Sequence, residues 1–140
     1  MGEAREVMDH LTQAFFNQDY DTAAKLYASD AVIVTPDAGE LKGGGEVTEY
    51  MKVFFEAFPD ARYEPINALE SGNTAVDEGR FIGTNTGSLR LPTGEELPAT
   101  GKGVDVRGCD IATVENGLIT SHRFYFDQME MLTQLGLAPQ

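Results

Sequence analysis

Gly45-Glu-Val-Thr-Glu-Tyr-Met-Lys-Val-Phe-Phe-Glu-Ala-Phe58-Pro59 is the stretch on which the fold turns. Val47, Tyr50, Met51, Phe54, Phe55 and Phe58 recur at helical spacing, which predicts a helix with one broad apolar face. Pro59 stops it, because the residue before a proline is pushed out of helical geometry. A face that large needs an extended cover, and the C-terminal half supplies one. Segments 61–70, 73–86, 103–115 and 118–127 are rich in Val, Ile, Thr, Phe and Tyr and read as strands. Asn116-Gly117 between the last two is a two-residue hairpin signal, since both central positions must take positive φ.

Upstream, Val7, Met8, Leu11, Ala14 and Phe15 predict a first helix from about Glu3 to Asn17. Asp21 can cap a second helix through about Ala28. Ala31 to Thr35 reads as a strand, closed by Pro36 and a turn-rich stretch to Gly45. A short helix with Met129, Met131 and Leu132 follows Asp127. Three helices followed by a curved antiparallel sheet make an α+β fold, expected as one domain over residues 1–140. Helices packed across a bent sheet enclose a cone, with a core at one end and room for an apolar pocket at the other.

With 41% apolar and 24% charged residues, the chain has the composition of an ordinary globular domain. Its 10 Lys+Arg against 23 Asp+Glu give a net charge of −13. That balance argues against nucleic acid, which is held largely by cations on phosphates, and against anionic membrane surfaces. The acids are scattered, with no calcium-loop spacing, so no metal is expected. The lone Cys109 excludes an internal disulfide framework and a cysteine-rich zinc site. No apolar run approaches the roughly 18 residues of a membrane span. The N-terminus lacks the pattern of a signal peptide, so a cytoplasmic location is expected.

Most chemical motifs fail on inspection. No strand is predicted to lead into Gly43-Gly44-Gly45 and no Lys-Ser/Thr follows it, and Ala99-Thr-Gly-Lys-Gly103 lacks the magnesium-binding hydroxyl of a phosphate loop. No nucleophile elbow is present. Cys109 stands in a strand with no histidine near it in sequence, and His10 sits beside Asp9 on the first helix. What remains is Leu118-Ile-Thr-Ser-His-Arg-Phe-Tyr-Phe-Asp127. Strict alternation puts Ile119, Ser121, Arg123, Tyr125 and Asp127 on one face, with Thr120, His122, Phe124 and Phe126 on the other. Asp127 flanked by aromatics could have its pKa raised by desolvation and act as a general acid/base. It could equally cap the helix that follows. Asp110 is a second unusual acid, either a partner for Arg107 or Arg123 or a pocket group.

Several ordered pieces carry a resemblance. They are Phe58-Pro-Asp-Ala61, Gly83-Thr-Asn-Thr-Gly87, Ala99-Thr-Gly-Lys102, Gly108-Cys-Asp-Ile111, Val114-Glu-Asn-Gly-Leu-Ile119, Phe126-Asp127 and Gln134-Leu-Gly-Leu137. Together they resemble the SnoaL-like polyketide (ester) cyclase family of the nuclear transport factor 2-like superfamily. The resemblance implies a cone-shaped curved sheet wrapped around three N-terminal helices. It also implies a cofactor-free intramolecular aldol condensation on a hydrophobic polyketide-like carbonyl compound. In that family an aspartate of the last strand moves the proton, and Asp127 matches it. Asn85, Asp110, Arg123, Tyr125, Phe15, Tyr50 and Phe54 are then the expected substrate-binding set, with His122 a possible second acid/base.

The chain departs from the family at Asn85, where histidine is common; an amide bonds a carbonyl but exchanges no proton. Relatives of the fold include hydroxylases and limonene epoxide hydrolases. No acid occurs between Gly83 and Arg90 to form the hydrolases' Arg-x-Asp pair. A non-catalytic small-molecule binding module is the remaining alternative. A homodimer through the outer sheet face, including His122, Phe124 and Phe126, is expected by analogy of fold.

Overall fold

Helix α1 (Glu3–Phe16) lays Ala4, Met8, Leu11 and Phe15 on the core, as its spacing dictates. The computed structural model describes residues 2–138. Helix α2 (Tyr20–Lys25) starts two residues earlier than expected, because Asp19 rather than Asp21 caps it by accepting from Thr22 N at 3.2 Å. It also ends earlier. The Leu26 carbonyl accepts a hydrogen bond from Ile119 N at 2.8 Å, which draws the chain into the sheet at that point.

Strand β1 (Tyr27–Thr35) therefore begins four residues before the predicted Ala31. It turns into the short β2 (Gly39–Lys42), and α3 follows over Gly43–Ala57. The glycine triplet forms the first turn of α3. Gly44 packs on the Ala24 backbone so closely that a Cβ would overlap the Ala24 carbonyl.

The remaining strands are β3 (Arg62–Ser71), β4 (Thr74–Thr84), the two-residue β5 (Leu89–Arg90) and β6 (Glu96–Leu97), β7 (Gly103–Glu115) and β8 (Leu118–Phe126). Helix α4 (Gln128–Gln134) closes the described chain. The main sheet runs β2-β1-β8-β7-β4-β3, with β2 and β3 as free edges, so it is curved but not closed. It is also mixed rather than wholly antiparallel, because β1 and β8 pair in parallel. The β7–β8 hairpin turns at Asn116 and Gly117, with φ of 54° and 79°, as the dipeptide predicts. The Pro/Gly loop after β4, read from sequence only as a connection, folds into the β5–β6 ribbon.

Two apolar clusters fill the interior. One joins α1, α3 and the middle of the sheet through Met8, Leu11, Phe15, Val47, Phe55 and Ile119. The other joins the end of α3 to β5, β7 and α4 through Phe54, Phe58, Val104, Val106, Met131 and Leu135. The aromatic face of α3 lies in both, which is why that one helix organises the fold. No helix among the described residues is long and apolar enough to cross a membrane.

Candidate active site

Between α1, α3 and the concave face of the sheet lies a cavity of about 140 Å³. Phe15, Phe16, Phe54, Phe81, Phe124 and Phe126 form the aromatic part of its wall. Tyr50, Phe54, Phe126 and Met131 separate it from an outer groove of about 1310 Å³. Tyr50 is pinned in that partition by donating to Asp37 Oδ1 at 2.6 Å. Burial, together with Asp37, pushes the Tyr50 phenol far above its ordinary value, so it remains a donor. A chamber of about 150 Å³ holds one benzene ring.

One hydrogen-bonded chain breaks this apolar lining. His122 is fully buried, with Nδ1 at 2.7 Å from the Tyr27 hydroxyl and Nε2 at 2.7 Å from Asp110 Oδ2. Burial, and secondarily Asp110, holds the Tyr27 phenol well above its ordinary pKa, so it keeps its proton. A carboxylate can only accept, so Nε2 carries the proton toward Asp110, and in that tautomer the Tyr27 hydroxyl donates to Nδ1. The ring also packs against Tyr27 and Phe124, at centroid distances of 5.8 and 4.1 Å. Both imidazole nitrogens are occupied. Asp110 lines the cavity with 21% of its side chain exposed, and its other carboxylate oxygen has no partner among the described residues.

A β-bulge builds this geometry. Ser121 pairs with Thr113 and Ile119 with Val114, so Thr120 is an extra residue in β8. The parity of the strand changes there. Ile119 points inward, and beyond the bulge so do His122, Phe124 and Phe126.

A second polar group lies beside the first. Asp77 is the direct cross-strand partner of Asp110; Asp77 is buried and Asp110 lines the cavity. Asp77 is bound by Arg5 at 2.5 Å, and its second oxygen accepts from Thr12 Oγ1 at 3.3 Å. Burial and the facing Asp110 carboxylate raise the Asp77 pKa, against the pull of Arg5. Among the described residues no group of three or more His, Cys, Asp and Glu side chains is placed to hold a metal ion.

Residues 7–122 match the family model of the SnoaL-like domain. The chain belongs to the SnoaL-like family. No curated protein matches its sequence. Solved structures of similar fold include a provisionally assigned SnoaL-like polyketide cyclase from Jannaschia sp. CCS1, with TM-score 0.84 and 20% identity over 99% of this chain and 94% of that one. AclR from Streptomyces galilaeus, provisionally assigned as a hydroxylase, gives 0.82 and 18%, with 98% of each chain covered. IdmH from Streptomyces antibioticus, provisionally assigned as a polyketide cyclase, gives 0.80 and 23%, covering 96% of this chain and 99% of that one.

Within this SnoaL-like chain the expected site residues separate into two groups. Phe15, Tyr50, Phe54, Asp110 and His122 meet at the cavity. Asp127 does not. It is exposed on the other side of the sheet, and its Oδ1 accepts from Met129 N at 2.9 Å and Glu130 N at 3.2 Å as the cap of α4. Parity explains the placement, since Phe124 and Phe126 point inward and the next residue points out. Asp127→Ala is expected to cost about 1 kcal/mol in thermal or urea unfolding, the ordinary value of an N-cap, and to leave cavity chemistry unchanged. Loss of activity without loss of stability would contradict the capping role.

Asn85 is buried, but it ties loops together. Its amide donates to Ala57 O and Gly87 O, and its Oδ1 accepts from Thr100 N and Oγ1. Arg123 turns outward and donates to Ser121 Oγ at 3.3 Å. Tyr125 borders the cavity from its strand but is 50% exposed. The residues expected on a dimer face, His122, Phe124 and Phe126, line the interior instead. Tyr27, Tyr63, Thr12 and Asp77 were not anticipated. The alternation Ala75, Asp77, Gly79, Phe81 was readable and already places Asp77 inward. The local pattern around Tyr27 reads as the end of the second helix and gives no sign that the residue faces the interior.

Proposed function

We propose that this protein is an acid/base enzyme acting on a hydrophobic, polyketide-like carbonyl compound, with Asp110 as the base. The observation that carries this reading is the Tyr27–His122–Asp110 chain, which ends in a free carboxylate oxygen on an apolar cavity. A carboxylate in such a setting can take a proton from carbon next to a carbonyl and return it elsewhere. His122 donates to Asp110 and orients it, while Tyr27 fixes the tautomer. The aromatic wall suits an aromatic ring, and a ring that fills the cavity displaces water, which strengthens every charge interaction inside. Proton removal yields an enolate. In a cyclase that carbon attacks a second carbonyl of the same molecule, and the proton returns to the new alkoxide.

The first step can be measured without knowing the natural substrate. The wild-type protein, incubated in deuterium oxide with a panel of ketones of one to four fused rings, is expected to exchange the hydrogens next to the carbonyl. Mass spectrometry would follow the label. A panel that exchanges no faster with protein than without it would overturn the proposal.

A further inference from the structure

Tyr63 stands apart from every other buried polar side chain of the described residues, since its hydroxyl oxygen is buried and has no hydrogen-bond partner. Leaving such a group unpaired costs about 1–3 kcal/mol, and phenylalanine would avoid the cost. The surroundings make room for it. The phenol lies over Gly79, where a Cβ would overlap its ring and hydroxyl. Gly79 pairs across the sheet with Gly108, so two positions without side chains face each other on the concave surface. Phe16 packs on the ring at 5.7 Å between centroids. Tyr63, Gly79, Gly108 and Asp110 all line the same cavity.

The position relative to the base is specific. Gly108 and Asp110 are successive inward residues of β7, so the glycine pair lies about 7 Å along the sheet from the Asp77–Asp110 pair. We infer that the Tyr63 hydroxyl is the donor that receives the carbonyl oxygen of the bound compound, next to the carbon from which Asp110 takes the proton. This inference rests on the acid/base reading of the same cavity. The ring borders the cavity and its hydroxyl lies over Gly79, which lines the same cavity and has no side chain to stand between the O–H and a ligand oxygen. When Asp110 removes the proton, the C–H electron pair becomes the enolate double bond and the carbonyl pair moves onto oxygen. The Tyr63 O–H then faces a full negative charge. Burial, with Asp77 and Asp110 nearby, holds the phenol above its ordinary pKa, so it donates without giving up its proton.

The test uses two one-ring probes, para-nitrophenolate, which mimics the enolate oxygen, and nitrobenzene, which lacks that oxygen. Each is titrated into the wild type and into Tyr63→Phe. The variant loses only an unpaired oxygen, so its melting temperature should not fall. It should bind the phenolate about ten- to a hundredfold more weakly, the range for a hydrogen bond to a charged group, and nitrobenzene within about twofold of wild type. Unchanged phenolate binding would mean that the hydroxyl makes no bond to the ligand oxygen, and would overturn the inference. Equal weakening for both probes, or no binding of either to the wild type, would overturn it as well. Ketone exchange distinguishes the two proposals. Tyr63-dependent phenolate binding without exchange supports the oxygen site and removes the acid/base reading. Asp110-dependent exchange with unchanged phenolate binding does the reverse.

Discussion

Asp110→Asn is expected to lower kcat/KM for an exchanging ketone by about 100- to 10,000-fold, the span that a positioned general base contributes. The amide keeps the shape of the carboxylate, and its oxygen can still accept from His122 Nε2, so the Tyr27–His122 bond survives. What it loses is the ability to take a proton. The effect should fall on the chemical step, while the binding of an inert aromatic such as nitrobenzene and the melting temperature stay close to wild type. A loss below about threefold would mean that another group carries the proton.

The second large effect concerns stability. Arg5 and Asp77 are both nearly buried, with 6% and 7% of their side chains exposed. Arg5 also donates to Leu69 O and Val76 O, tying α1 to β3 and β4. Arg5→Met fills much of the same space but leaves the Asp77 carboxylate in the interior, opposite Asp110, without its cation. Breaking a buried pair on one side costs about 3–5 kcal/mol. The pH dependence has a definite sign. Asp77 already has a folded-state pKa above its unfolded value, and loss of Arg5 raises it further. The penalty is therefore fully present above the folded pKa and shrinks as falling pH protonates the group. Urea unfolding of Arg5→Met at neutral and at mildly acidic pH checks this. A deficit that grows on acidification would contradict it.

The fold was legible where period and turn chemistry agree. Val47 to Phe58 specified α3 and the need for a sheet over it, and Asn116-Gly117 specified the β7–β8 turn. Local pattern failed where tertiary hydrogen bonds override it. Tyr27 reads as the end of a helix, yet the Leu26–Ile119 bond starts a strand there. The parallel pairing of β1 with β8 leaves no local signal either.

The site was legible in part for a similar reason. Asp110, His122 and the aromatic residues of α1 and α3 were all singled out, but alternation through β8 could not show which face was inner. The single extra residue Thr120 brings Ile119 into the interior together with His122. Its Oγ1 donates to Thr113 O at 3.4 Å. Asp127 carried two signals, a helix cap and a family match, and its hydrogen bonds follow the first. Tyr63 carried no signal, because an unpaired hydroxyl is a property of packing and not of sequence.

The most direct test compares deuterium exchange by the wild type, Asp110→Asn and Asp127→Ala with one fused-ring ketone at neutral pH. Exchange should fall at least 100-fold in Asp110→Asn, within the range of a lost general base, and remain near wild type in Asp127→Ala. The reverse pattern, with Asp127→Ala inactive and Asp110→Asn intact, would contradict the assignment of the chemistry to the buried Tyr27–His122–Asp110 chain.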